Sequence, residues 1–343
     1  MTRQLRDGRR ADLASGTETG QPVPGFPYRT RWQTGLWLEL FDMQIELIEG
    51  DVARAMAQDS VMVFQSLPLT GRGGGHYATN VEVAEHMSRR LMEEWGHRFW
   101  VLNPGRYQLE SKEGTGLMNL HASRLSRERG VEIDVDEMFR RTPPHGGDYM
   151  RMWTRILVED GEDQSGRRWD VLYFVGPDDV RSFFTEDGGR TWTGGVEEYF
   201  ARKQTMDRDF HDTFVPPFFD ADGGRLEGEA EKQEWKRRRN AFFRYYTVRA
   251  GVSFSLGSHD EWNIWQGLNE RRRRTDQGIA DQIAGYFDGR QVDPGSFSLR
   301  AAPGYEALAD EPPKHERGAD RTRASGDTPV RDGTPTFLHP PNR

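Results

Sequence analysis

The stretch VMVFQSLPLTGRGGGHYATNVEVAEHMSRRLMEEWGHRFWVLNPG, residues 61–105, decides how the chain reads. Val61-Met62-Val63-Phe64 is a short apolar run suited to a strand buried on both faces. It leads into a loop, Gln65 to Tyr77, that carries Gly71, Gly73, Gly74 and Gly75. Thr79 and Glu82 then have capping-box spacing, T-x-x-E. Ala84, Met87, Leu91 and Trp95 recur at helical spacing, and Gly96 stands where a C-terminal glycine belongs. Arg98 to Leu102 reads as a second strand, stopped by Asn103-Pro104-Gly105. Strand, helix, glycine and strand make a βαβ unit, which predicts parallel pairing through a right-handed crossover.

On the N-terminal side, Leu36, Leu40, Leu47, Ile48 and Val52 share one face and predict a helix over 36–56. Residues 1–28 lack periodicity and read as a disordered leader. On the C-terminal side, 105–146 is irregular, an insertion with a helix near Leu117 to Arg129. Gly146-Gly147-Asp148-Tyr149 opens a helix with Met150, Trp153 and Leu157 on one side. Asp170 to Pro177 is the most strand-like segment of the chain. A hairpin-like piece follows through Phe183-Phe184 and Asp187 to Trp192. Gly194-Gly195 then opens a helix carrying Val196, Phe200, Lys203 and Phe210. Beyond Pro216-Pro217, Glu229 to Arg249 and Glu261 to Phe287 are charged and read as helices. The expected class is therefore α/β: a Rossmann-like parallel sheet flanked by helices over 29–215, a helical extension over 216–302, and disordered ends at 1–28 and 303–343.

Composition narrows the functions. The net charge of -8 argues against broad nucleic-acid binding, which needs Lys and Arg to neutralise phosphates. The chain has 0 Cys, so disulfides, thiolate nucleophiles and Cys-based zinc sites are excluded. The histidines show no paired metal spacing, and no cofactor is expected. The N-terminus lacks the apolar core of a signal peptide, and no run of roughly 18 apolar residues occurs, so the expected compartment is the cytoplasm, away from membranes.

In parallel sheets of this kind, ligands bind beyond the carboxyl ends of the strands. Three stretches are placed to meet there: the loop Ser66 to Tyr77, the turn His145 to Tyr149, and the turn Thr193 to Glu198. The order of signals (S-L-P-L-T-G with a Gly-rich loop, N-x-x-x-A at Asn80 and Ala84, Asn103-Pro104, helix-opening Asp148, strand-opening Asp170, and G-G-V-E-E-Y-F-A at Gly194 to Ala201) resembles the nucleoside 2-deoxyribosyltransferase-like superfamily over about residues 60–212. That resemblance implies cleavage or exchange of an N-glycosidic bond in a nucleoside or nucleotide. It implies a Glu nucleophile near the start of a helix. Glu197 has the better spacing to Phe200-Ala201, and Glu198 is the reserve. Asp148 would contact the base or relay a proton. Ser66, Gly71, Gly73, Tyr77, Asn80, Tyr149, Gly176, Gly194 and Gly195 would line the substrate site. Copies of such proteins can also assemble so that a neighbour completes the site.

Plainer readings stand beside these. Acids early in a helix complement its dipole, Asp148 is placed to cap, and buried tyrosines commonly serve packing. A different function class is a non-catalytic nucleotide-binding or signalling module whose helical tail meets a partner. Trp235 to Tyr246 interleaves basic and aromatic residues, as a single-strand platform does, although Trp235, Phe242 and Tyr246 also share one helical face as a core stripe would.

Overall fold

The computed structural model describes residues 16–23, 30–69, 74–109, 112–158, 164–186, 191–220, 222–249, 256–274 and 281–293. The chain divides into two compact units, one built from the described parts of 1–54 and 106–156, the other from those of 55–105 and 157–303.

The first unit contains β1 (Thr17–Gly20), β2 (Thr30–Gln33), most of α1 (Leu36–Met56), α3 (Lys112–Arg129), α4 (Val135–Arg141) and most of α5 (Gly146–Val158). β1 pairs antiparallel with β2, so residues 17–20 are not the disordered leader expected of 1–28. The predicted helix at 117–129 starts earlier, at Lys112, and a further helix follows at Val135, capped by the Asp134 carboxylate, which accepts from Glu137 N at 2.9 Å. α1 buries Leu36, Leu40, Ile48 and Val52 of the stripe that its periodicity predicted and leaves Leu47 half-buried, with Trp37 edge-on to Phe139 at 5.3 Å and Phe41 edge-on to Tyr149 at 5.1 Å.

The second unit is the α/β body. It holds β3 (Val61–Ser66), α2 (Tyr77–Trp95), β4 (Phe99–Leu102), β5 (Val171–Phe174), α6 (Pro177–Thr185), α7 (Trp192–Met206), α8 (Arg208–Phe214), α9 (Gly228–Arg244), α10 (Leu256–Arg273), β6 (Ala284–Phe287) and β7 (Arg290–Val292). The sheet order is β4-β3-β5-β6-β7. β3 pairs in parallel with β4 and β5, and β5 with β6, whereas β7 is antiparallel. The βαβ unit and the parallel pairing of β4, β3, β5 and β6 are as the sequence predicted, and the antiparallel β7 is an addition to the expected parallel sheet. Two details of the reading change. α2 is capped by His76, whose ring nitrogen accepts from Thr79 N at 3.4 Å, while Thr79 turns inward and is fully buried. Of the piece expected to be hairpin-like, Phe183-Phe184 lie in α6, where Pro177 suits the first helical position and Asp179 closes the turn on Gly176 N at 3.0 Å, Thr191-Trp192 cap and open α7, and residues 187–190 lie outside the described residues.

The largest correction concerns 216–302. Residues 284–292, read as the end of a helix and its sequel, form β6 and β7 and complete the sheet. Asp288 and Gly289, both at positive φ (54° and 74°), make the two-residue hairpin turn. α9 is equally integral, since Phe242 joins the core cluster that also contains Val63, Met87, Tyr173 and Phe200. Residues 303–343 lie outside the described residues.

The sheet buries both faces. Val63 and Tyr173 belong to the core cluster shared with α2, α6 and α7. On the opposite face, Phe174 meets Trp262 of α10 at 4.6 Å and Trp265 at 5.8 Å. At roughly 25 cal/mol per Å² of apolar area, such two-sided burial is the main force holding the unit together. Among the described residues no helix is long and apolar enough to cross a membrane.

Candidate functional site

β3 has its sequence successor β4 on one side and β5 on the other. The topology therefore switches direction between β3 and β5, and that is where a parallel sheet opens a crevice at its carboxyl edge. Leu67 and Pro68 leave β3 there, Val175 leaves β5, and Val180 of α6 and Asn80 and Val83 of α2 form the walls. Tyr245 and Tyr246, in the π-helical turn Tyr245–Arg249 that ends α9, close it.

The closure is tight. The Tyr246 hydroxyl receives His76 N at 2.9 Å and lies 2.8 Å from Asn80 Oδ1, the expected ligand residue. A side chain on Gly75 would sit 2.8 Å from the Tyr245 ring. One on Gly74, at φ +103°, would sit 2.3 Å from Ala241 O. These two glycines let α9 and the turn after it approach the start of α2. The remaining cavity is about 10 Å³, room for about one water.

Two buried carboxyl sites stand at the same edge. Ser66, the last residue of β3, donates its hydroxyl to Glu261 Oε2 in α10. Glu261 is only 6% exposed. Burial pushes its carboxyl up to about 8, with the neighbouring Asp260 charge acting in the same direction and the Ser66 hydrogen bond against it. Glu261 is thus protonated at neutral pH. Beyond β5, Asp179 accepts from Tyr173 Oη at 2.9 Å and from Gly176 N at 3.0 Å. Burial raises it to about 7, and the Asp288 charge adds to the rise. Asp288, immediately after β6, accepts from Asp179 N at 3.0 Å. Neither Glu261, Asp179 nor Asp288 was singled out from the sequence. The Asp288-Gly289 pair directly after the short run Ala284–Phe287 was the available signal for the last of them.

The residues expected to act are distributed differently. α7 begins at Trp192, so Glu197 and Glu198 fall in its second turn and not its first. Val196, Tyr199 and Phe200 take the buried face, which leaves both glutamates exposed; Glu197 lies 3.4 Å from Arg239. The buried carboxyls described at this edge of the sheet are instead Glu261 and Asp179. Gly195 serves packing, since a side chain there would lie 1.9 Å from Phe184 O. Gly194 N caps onto Thr191 Oγ1 at 3.2 Å, Gly176 caps α6, and Tyr77 opens α2 half-buried. Gly71 and Gly73 lie outside the described residues.

Asp148 and Tyr149 belong to the first unit. Asp148 accepts from Gln33 N at 2.6 Å and His145 N at 2.9 Å, tying β2 to the start of α5. Burial raises its carboxyl, opposed by nearby His145 and these hydrogen bonds. The Tyr149 hydroxyl accepts from Leu109 N at 3.2 Å.

In the basic segment of α9, Arg238 is buried over the Phe218 ring at 4.4 Å and Arg239 lies over Phe243 at 4.3 Å. The cations are engaged within the chain and Phe242 and Tyr246 face the core, as a core stripe requires. Among the described residues no group of acids and histidines could hold a metal ion. The chain matches no protein-family model, no curated protein and no solved structure.

Proposed function

We propose that the chain cleaves or exchanges the N-glycosidic bond of a nucleoside or nucleotide at the carboxyl edge of its parallel sheet, with Glu261 as proton donor. One observation carries this reading: a buried carboxyl, 6% exposed and with its proton affinity raised by burial, bonded to the last residue of β3 beside the topological switch. Perturbed carboxyls in such positions are what acid–base chemistry requires.

Breaking the C1′–N bond sends its electron pair to the base nitrogen and leaves an oxocarbenium-like sugar. Proton transfer from Glu261 to that base forms a new N–H bond and makes the base a better leaving group. Ser66 then donates to the resulting carboxylate and holds it in place. Water or a second base adds to C1′ and resolves the sugar cation, giving up its proton to the Glu261 carboxylate and restoring the acid. Asp179, ionising near neutrality at the next strand end, is the second carboxyl available to the reaction.

A second reading is favoured by the closed crevice: the protein recognises a nucleotide without turning it over, and Tyr245 and Tyr246 yield when the ligand enters. A nucleoside needs a cavity of about 300 Å³ or more, so either reading requires the tyrosines to move. One experiment separates them. The chain is incubated with a panel of nucleosides and 5′-nucleotides, with and without a second free base, and the products are resolved by chromatography. Released or exchanged base that disappears in Glu261→Gln supports the enzyme. Saturable binding without product supports the recognition module, and neither outcome dismisses both.

A further inference from the structure

α6 starts at the switch between β3 and β5. Val175 and Val180, which both line the crevice there, bracket its first turn, Gly176 to Asp179. A helix head in this position is where an open parallel sheet ordinarily holds a nucleotide's phosphate, because its first N–H groups have no partner inside the helix. In α6 each of those groups is already committed. Pro177 has no N–H. Gly176 N donates to Asp179 Oδ2 at 3.0 Å. Asp179 N donates to Asp288 Oδ1 at 3.0 Å, and Asp178 N donates to the same carboxyl.

Asp288 comes from outside the helix, at the turn between β6 and β7. The fold makes room for it. A side chain on Gly176 would lie 2.4 Å from Asp288 Cβ, so glycine is what lets the turn come this close. Asp288 itself sits at φ 54°, in the left-handed region that Asp enters more readily than most residues. Of the guanidiniums whose charge reaches the Asp179–Asp288 pair, Arg90 is engaged by Glu94 at 2.6 Å and Arg290 is exposed on β7. The described lining of the crevice contains no Lys or Arg. At the head of α2, the other helix of the switch, His76 N is taken by Tyr246 Oη at 2.9 Å and Thr79 N by His76 Nδ1 at 3.4 Å.

We propose that Asp288 occupies the phosphate position of the crevice, so that the protein takes nucleosides and rejects their 5′-phosphates. The proposal rests on the nucleoside reading of the crevice given above and adds the residue that would set its specificity. An arriving phosphate would find the N–H groups of α6 committed and an acid standing where its own oxygens should go. Withheld donors and an opposing acid reject one ligand without any contact to the favoured one.

The test is calorimetric titration of the full chain with adenosine, guanosine, cytidine, uridine and thymidine, and with the 5′-monophosphate of each. Wild type is compared with Asp288→Gly, which removes the carboxyl and suits the positive φ, and with Asp288→Asn, which keeps an acceptor for Asp179 N but cannot ionise. In wild type the best-bound nucleoside should bind about tenfold or more tightly than its monophosphate. Asp288→Gly should bring the two dissociation constants together or invert their order, and Asp288→Asn should fall between. A monophosphate bound by wild type as tightly as its nucleoside overturns the proposal and leaves the nucleoside reading standing. So does a ratio that neither substitution moves, in variants whose melting temperatures show that they fold. If no nucleoside and no monophosphate binds any of the three proteins, the nucleoside reading falls and the proposal with it.

Discussion

Ser66 and Glu261 stand 195 positions apart in sequence, yet the hydroxyl of one donates to the carboxyl of the other at the end of the first strand of the sheet. The bond joins the strand that opens the βαβ unit to a helix well beyond Pro217. It also anchors a carboxyl whose burial raises its proton affinity against the pull of that same hydrogen bond, and several consequences can be measured.

Glu261→Gln keeps the shape and the acceptor for Ser66 but removes the transferable proton. Base release should fall by about a hundredfold or more, the usual contribution of a general acid, while the far-UV spectrum and the melting temperature at neutral pH stay close to wild type. Ser66→Ala should give a smaller loss and shift the basic limb of the pH–rate profile, because the hydroxyl opposes the upward shift of Glu261. An unchanged rate in Glu261→Gln removes Glu261 from the chemistry.

Tyr246→Phe tests the closed crevice. The hydroxyl joins His76 N, on the loop side, to Asn80 of α2. Its loss leaves two buried polar groups short of a partner, which should lower stability by about 2 kcal/mol. If the tyrosines gate the crevice, the same variant should bind nucleosides more tightly despite being less stable, since opening becomes easier. Denaturant unfolding and calorimetry read the two effects separately. A destabilised protein with unchanged affinity would assign Tyr246 to structure alone.

The parts of the fold that could be read from sequence are those whose pattern is local. The 61–102 unit was legible because an apolar run, a helical stripe and Gly96 follow one another within one crossover. α1 was legible from its stripe. The strands β6 and β7 were not, because Ala284–Phe287 and Arg290–Val292 are too short to show alternation after a long charged helix. They are strands because β5 offers an unpaired edge, which is a tertiary fact. The acidic pair at 197–198 misled for a related reason. A two-residue uncertainty in where a helix begins turns a carboxylate by roughly 200° about the axis, and α7 starts two residues before Gly194. Glu261 could not be found at all from spacing, since its partner lies on a distant strand.

Arg272 gives a prediction about stability without function. It is 4% exposed and donates to the main-chain carbonyls of Ser165, Gly166, Trp169 and Asp281. These lie before β5 and before β6, so the guanidinium fixes where both strands enter the sheet, at the edge opposite the crevice. Arg272→Met strands those carbonyls and should cost about 3 kcal/mol or more. Arg272→Lys should recover only part, because an ammonium cannot reproduce the planar fork. At temperatures where either variant remains folded, nucleoside affinity should be unchanged. A melting temperature equal to wild type for Arg272→Met would show that the clamp carries no weight.

The stability of the sheet edge should also depend on pH in a direction set by burial. Asp179 rises from an ordinary value of 3.8 to about 7 in the folded chain. Glu261 rises from 4.5 to about 8. In both cases the folded state binds the proton more tightly than the unfolded chain. Their contribution is therefore full below about pH 4 and is lost as pH rises through 7 and 8. Asp179→Asn cannot ionise. It also places an amide where two donors, Tyr173 Oη and Gly176 N, need acceptors, which imposes a penalty that does not vary with pH. The difference in unfolding free energy between wild type and Asp179→Asn should consequently favour wild type at pH 5, shrink as pH rises toward about 7 and level off above it, the change being on the order of a few kcal/mol. Adding Glu261→Gln should flatten the remaining slope at the alkaline end. A difference that stays constant from pH 5 to pH 8 would mean that Asp179 is ionised throughout, and the second carboxyl would then have no proton to exchange near neutrality.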